Sequence, residues 1–196
     1  MGQLAVWPGD SVATSGGVEL RPAQETGLLA SGHPAPNFCL PDADMETFEL
    51  ASAWQEGIVV LLFFLHDSMP LSVKQAISFS DHEEDFRRCG ARVVGVSLDD
   101  CLTHAEFRDE HGLALQLVSD EDGEACRLYH VWQDPQGAST VRPTVQRSTF
   151  IVGFDGKVLH ADYKVDVRNH VESILELLQT LSGRKNGNRK ECRRHA

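Results

Sequence analysis

Residues 58–65 read IVVLLFFL. No polar side chain interrupts the run, and its length suits one strand. An unbroken apolar strand is covered on both faces, as in the middle of an α/β sheet. Beyond Pro70 the pattern changes to helical spacing. Val73, Ala76, Ile77, Phe79 and Phe86 fall largely on one side, while Lys74, Asp81, Glu83 and Glu84 lie elsewhere. Pro70 suits a helix's first turn, and Gly90 supplies its end. Arg92 to Leu98 then reads as a second buried strand.

The same reading extends outward in both directions. Upstream, Asn37–Leu40 and Thr47–Leu50 flank the turn residues Pro41-Asp42-Ala43-Asp44, which predicts a hairpin. Downstream, Asp99 or Asp100 caps a helix that stops at Gly112. A short strand follows at Leu115–Val118, and then a helix opened by Asp120 and running to about Tyr129. Pro135, Gly137 and Pro143 mark a loop. Ser148–Gly153 and Val158–Tyr163 form a hairpin across Asp155-Gly156. Val167–Leu181 is a closing amphipathic helix. This order predicts an α/β fold with a central mixed sheet and helices on both faces. Residues 33–182 make the single domain. Residues 1–32 are a loose extension, with a short helix allowed over 18–32, and residues 183–196 are a basic, disordered tail.

Bulk properties narrow the function classes. The chain has 196 residues, 41% of them apolar, and a net charge of −11. That charge repels nucleic acid and anionic membrane. The exception is the tail, where Arg184, Lys185, Arg189, Lys190, Arg193 and Arg194 face one acid, Glu191. It reads as a solubilising end, with docking to an acidic partner as the sharper alternative. No run is long enough to span a membrane and the first residues lack signal-peptide character, so a cytoplasmic location is expected. Cys39, Cys89, Cys101, Cys126 and Cys192 form no CxxC pair, and the nine histidines form no HExxH. Neither a metal site nor a cofactor site is signalled.

Several blocks together resemble the peroxiredoxin superfamily, also called the thiol-specific antioxidant or alkyl hydroperoxide reductase C proteins. They are GHPAPNFCLPDADMETFEL, ARVVGVSLDD, THAEFRDEHGLALQLVSDEDGEACRLYHVW and RSTFIVGFDGKVLHADYKV. The likeness runs from about Gly32 to Leu181 and is greatest to the bacterioferritin comigratory protein group, or peroxiredoxin Q. It implies a thioredoxin-like fold and descent from enzymes that reduce hydroperoxides with electrons from thioredoxin. The family's chemistry sits in a Pro-x-x-x-Thr-x-x-Cys pattern after the buried strand. Here that stretch is FLHDSMPLSVKQAISFSD. Aligned through Pro70, Lys74, Gln75, Ala76, Phe79 and Asp81, it places Leu65 at the proline, Met69 at the threonine and Ser72 at the attacking cysteine. Ile77 falls at the resolving cysteine of many members. The family arginine matches Arg147.

The family reaction needs a thiolate, whose pKa is lowered from about 8.5 into a range of roughly 3.5–7.5 by a helix N-terminus and a cation. Peroxide oxidises it to a sulfenic acid, a second thiol forms a disulfide, and thioredoxin reduces that. A serine hydroxyl without an adjacent base is a weak nucleophile and has no equivalent of these sulfur states. Ser72, Met69 and Arg147 are therefore the candidate site residues, of a peroxidase centre that has lost its activity. The chain is then expected to act as a binding or regulatory module, as monomer or dimer. Its partner would be thioredoxin or a related peroxiredoxin. The alternative is an active thiol peroxidase with a relocated cysteine, Cys101 or Cys126. Cys101 stands at a helix start beside Asp99 and Asp100, and Cys126 beside Arg127, expected half-buried. Cys39 is expected packed in a strand, Cys89 at a helix C-terminus, and Cys192 exposed. Arg147 either faces Ser72 or is a residual ion-pair arginine at a sheet edge. Ser72 lacks a GxSxG elbow for hydrolase chemistry. His66, His104 and His111 read as solvated or loop-packing residues.

Overall fold

The computed structural model describes residues 27–133 and 144–191. Its five-stranded sheet consists of β3 (Ile58–Phe63), β4 (Ala91–Ser97), β5 (Gln116–Ser119), β8 (Ser148–Val152) and β9 (Val158–Asp162), in the order β5-β4-β3-β8-β9. The β3–β4 and β4–β5 pairs are parallel, and the β3–β8 and β8–β9 pairs antiparallel. The sheet is mixed, and β3 lies at its centre. Both faces of β3 are covered. Val59, Leu61 and Phe63 belong to one core with Phe38, Leu50, Tyr129 and Phe150. Ile58, Val60, Leu62 and Phe64 belong to the other with Phe79, Phe86, Phe107 and Leu178.

Beside the first core pack the hairpin of β1 (Cys39–Pro41) and β2 (Thr47–Glu49), the helix α1 (Leu50–Glu56) and α5 (Glu124–Leu128). The second core is covered by α2 (Pro70–Asp81), α3 (Glu83–Arg88), α4 (Cys101–His111) and α6 (His170–Glu191). Two short strands, β6 (Trp132–Gln133) and β7 (Thr144–Val145), pair at the margin. The predicted fold class, a thioredoxin-like α/β sheet with helices on both faces, is the observed one.

Local chemistry sets several boundaries. The Asp100 carboxylate accepts from Thr103 N at 2.7 Å, and Gly112, at φ 61°, ends α4 in the left-handed region. Asp120 caps α5 from four residues upstream, accepting from Ala125 N at 3.1 Å and Cys126 N at 2.8 Å. Two readings need correction. Leu50–Glu56 is a helix rather than the tail of a strand: Leu50 and Ala53, three apart, are its buried residues, and no capping side chain announced it. The helix after Pro70 is also broken at His82, whose φ of −106° and ψ of 15° separate α2 from α3.

Within the segment read as a loose extension, Leu29 N donates to the Tyr163 hydroxyl at 2.8 Å and Gly32 N to Val158 O at 2.8 Å. Residues 27–32 are thus fastened to the sheet and are not helical. The rest of the extension, including 18–26 of the short helix, lies outside the described residues. So do the loop of Pro135, Gly137 and Pro143, and Cys192. Backbone helix in α6 continues to Glu191, past the Leu181 at which the amphipathic pattern ends. Among the described residues no helix is long and apolar enough to cross a membrane.

Candidate functional site

The chain leaves β3 at Phe63 and enters α2 seven residues later. Phe63 pairs with Ser148, the first residue of β8. Because β8 runs antiparallel to β3, the residue before Ser148 falls at the end of the central strands from which the chain leads into α2. That residue is Arg147. Its Nη2 donates to Ser72 Oγ at 3.1 Å across 75 positions of sequence. Of the two readings of Arg147, the structure selects the one in which it faces Ser72.

Ser72 lies in the first turn of α2 and is 1% exposed. Pro70 opens the helix, and the Met69 carbonyl accepts from Ser72 N at 2.8 Å and Val73 N at 3.0 Å. Met69 is the N-cap and is 39% exposed, and no side chain caps this end. A thioether offers only a weak acceptor to the free amides. Leu65 is half-buried against the first core.

Arg147 also donates, through Nη1, to Gln75 Oε1. Gln75 Nε2 lies 3.2 Å from His170 Nδ1, and His170 Nε2 lies 3.2 Å from Thr149 Oγ1. Gln75 and His170 are buried, and Thr149 has no exposed surface. Burial holds Arg147 below the usual arginine pKa. Burial likewise depresses His170 to about 4, with Asp162 opposing the shift and Arg147 and His160 adding to it.

The loop between β3 and α2 has a second set of polar ties. Asp67 Oδ2 lies 2.7 Å from His104 Nδ1, and His104 Nε2 lies 3.2 Å from Val118 O. Asp67 N donates to Asp99 Oδ2 at 2.6 Å, and His66 Nδ1 sits 2.8 Å from Asp99 Oδ1. His104 is fully buried, which corrects its reading as a solvated or loop-packing residue. Desolvation pushes the Asp67 carboxyl up, with its hydrogen bond to His104 opposing. Sequence reasoning found neither the His104 pair nor the contacts of His170. A histidine on a helix gives no signal of a partner 37 or 95 positions away.

The cysteines separate by environment. Cys126 is fully buried rather than half-buried, and desolvation, then Asp120, raise its thiol pKa strongly. Cys39 is exposed on β1, not packed as expected. Cys101 is half-buried at the first residue of α4, and Cys89 half-buried at the C-cap of α3. Among the described residues no group of three or more His, Cys, Asp or Glu is arranged to hold a metal.

The family model described as AhpC/TSA matches residues 31–161. A candidate peroxiredoxin of Mycobacterium tuberculosis is 37% identical over 150 residues, covering 76% of this chain and 95% of that protein. Peroxiredoxin Bcp of Escherichia coli is 30% identical over 152 residues, covering 77% of this chain and 96% of that one. Among solved structures, the bacterioferritin comigratory protein of Xanthomonas campestris, described for its alkyl peroxide reduction activity, superposes with a TM-score of 0.69. It is 28% identical and covers 74% of this chain and 92% of that one.

Proposed function

This chain belongs to the AhpC/TSA family, and from that premise we propose that it is a peroxiredoxin Q-like protein whose peroxidase centre is lost while its fold and partner-binding surface remain. The family reaction is hydroperoxide reduction. One observation carries the reading: the side chain that Arg147 addresses at the start of α2 is a serine hydroxyl. Oxygen at that place cannot pass through the sulfenic acid and disulfide that the reaction requires. Met69 and Leu65 support it, because neither supplies the polar hydroxyl or the ring of the family pattern.

On this reading the chain is a cytoplasmic binding or regulatory module whose partner is a thioredoxin-like protein or a related peroxiredoxin. Met69 and Leu71, 39% and 56% exposed beside Ser72, offer that partner an apolar contact. The test is a thioredoxin-coupled assay with hydrogen peroxide and with an organic hydroperoxide. No turnover above the protein-free control is expected, and sustained turnover would overturn the reading. A sulfenic-acid trap read by mass spectrometry covers the relocated-cysteine alternative. Cys126 is sealed from solvent. Cys101 is the thiol whose labelling after peroxide would replace this proposal with a working peroxidase.

A further inference from the structure

We propose that His170, as a neutral imidazole, is a positioning residue that fixes the Gln75 amide and through it aims the Arg147 guanidinium at the side chain of residue 72. The inference rests on the reading of Ser72 and Arg147 as the inherited site. It adds a control element from α6, whose His170 reaches Arg147 through the Gln75 side chain.

The direction of every hydrogen bond in this chain of groups follows from one end. A guanidinium has donors and no acceptor. The Gln75 atom facing Arg147 is therefore its oxygen, as found. The Gln75 nitrogen must then face His170 Nδ1, which lies 3.2 Å away, and an amide nitrogen only donates. Nδ1 consequently carries no proton. The single proton of the neutral ring is on Nε2, which donates to Thr149 Oγ1 at 3.2 Å. A proton added at Nδ1 would set two donors against each other. The amide would have to turn over, presenting its NH₂ group to the cation of Arg147.

The surroundings keep the ring neutral. His170 is 7% exposed, and Phe79 of α2 meets it edge-on at 5.1 Å between ring centres. The charged or titratable groups facing it are Asp162 and His160 from β9 and Arg147 from just before β8. Asp166 and Arg168 on the approach to α6 pair with each other at 2.8 Å. Only Asp162 among the facing groups favours the imidazolium, and burial outweighs it.

A thiol at position 72 reports how the guanidinium is aimed, because a nearby cation lowers a thiol's pKa. The experiment compares full-length S72C with S72C/R147M, S72C/H170L and S72C/H170N. The ultraviolet absorbance of the thiolate is followed against pH in the folded protein, and the matching protein that keeps Ser72 is subtracted to remove the native cysteines and tyrosines. The asparagine of H170N would place an acceptor oxygen close to where Nδ1 now sits, whereas the leucine of H170L offers none. Melting curves confirm that each variant is folded, and H170N keeps the test available should H170L not fold. H170L is expected to raise the thiol pKa by about half a unit to one unit, and H170N to restore most of that shift. An unchanged pKa in H170L, or a failure of H170N to restore it, overturns the positioning role. An R147M variant that leaves the thiol pKa unmoved would instead overturn the reading of the site itself.

Discussion

Asp67 and His104 face each other across 2.7 Å, carboxylate to imidazole, with both side chains sealed from solvent. The far ring nitrogen of His104 meets the Val118 carbonyl at 3.2 Å, so it holds a proton, and Asp67 and Nδ1 share another. The pair ties the loop that leads into α2 to the body of α4. Removing one member leaves the other buried and uncompensated, a loss of about 3–5 kcal/mol. D67A and H104A should each cost an amount in that range, and the double variant should cost less than their sum. Urea denaturation measures all three. Single variants costing under about 1 kcal/mol would show that the two residues do not act as a unit.

Met69 leaves the N-terminus of α2 without a side-chain cap. A hydroxyl there can accept from an amide of the first turn, an interaction typically contributing about 1 kcal/mol. M69T is therefore expected to stabilise the fold by about that amount, seen as a higher urea midpoint with unchanged slope. A midpoint at or below the wild-type value would refute the capping argument.

Restoring sulfur alone does not restore the family site. S72C places a thiol opposite Arg147 but keeps Met69 and Leu65, so little or no peroxidase turnover is expected. Adding M69T and L65P to S72C should raise the rate above that of the single variant. Equal rates in the two proteins would mean that these positions do not shape the pocket.

His170 makes stability depend on pH. It titrates near 6.5 in the unfolded chain and at about 4 in the fold. Between those values the unfolded state binds more protons. The contribution of His170 is therefore fully present above pH 6.5 and is lost as pH falls toward 4. The stability difference between wild type and H170L should narrow over that interval. Unfolding curves at pH 7 and at about pH 4.5 measure it, and a constant or widening difference would contradict the assigned neutral ring.

Thiol accessibility distinguishes two cysteines that look alike in sequence. Cys39 is exposed and Cys126 fully buried, with its thiol pKa pushed up by desolvation. In the native protein iodoacetamide should modify Cys39 readily and Cys126 only on unfolding. Early labelling of Cys126 would argue against its place in the first core.

The apolar run at 58–65, the helical spacing beyond Pro70 and the hairpin around Asp155-Gly156 each respond to local chemistry, and the elements they predict are present. Capping by Asp100 and the stop at Gly112 were legible for the same reason, since cap and helix lie within a few residues of each other. Leu50–Glu56 was not legible: the helix is seven residues long, without a capping side chain, and follows a strand directly. Its stability comes from Leu50 and Ala53 packing into a core assembled by other elements.

Sequence by itself determined the family likeness and the serine at the head of α2, because identity and spacing survive in one dimension. Only the tertiary structure decided what surrounds that serine. The antiparallel pairing of β8 with β3 brings Arg147 to the mouth of α2. Packing of α6 on the sheet then brings His170 against Gln75 and Thr149. Hydrogen bonds between groups 21 to 95 residues apart are set by strand register and helix packing, and no local pattern of residues encodes those distances.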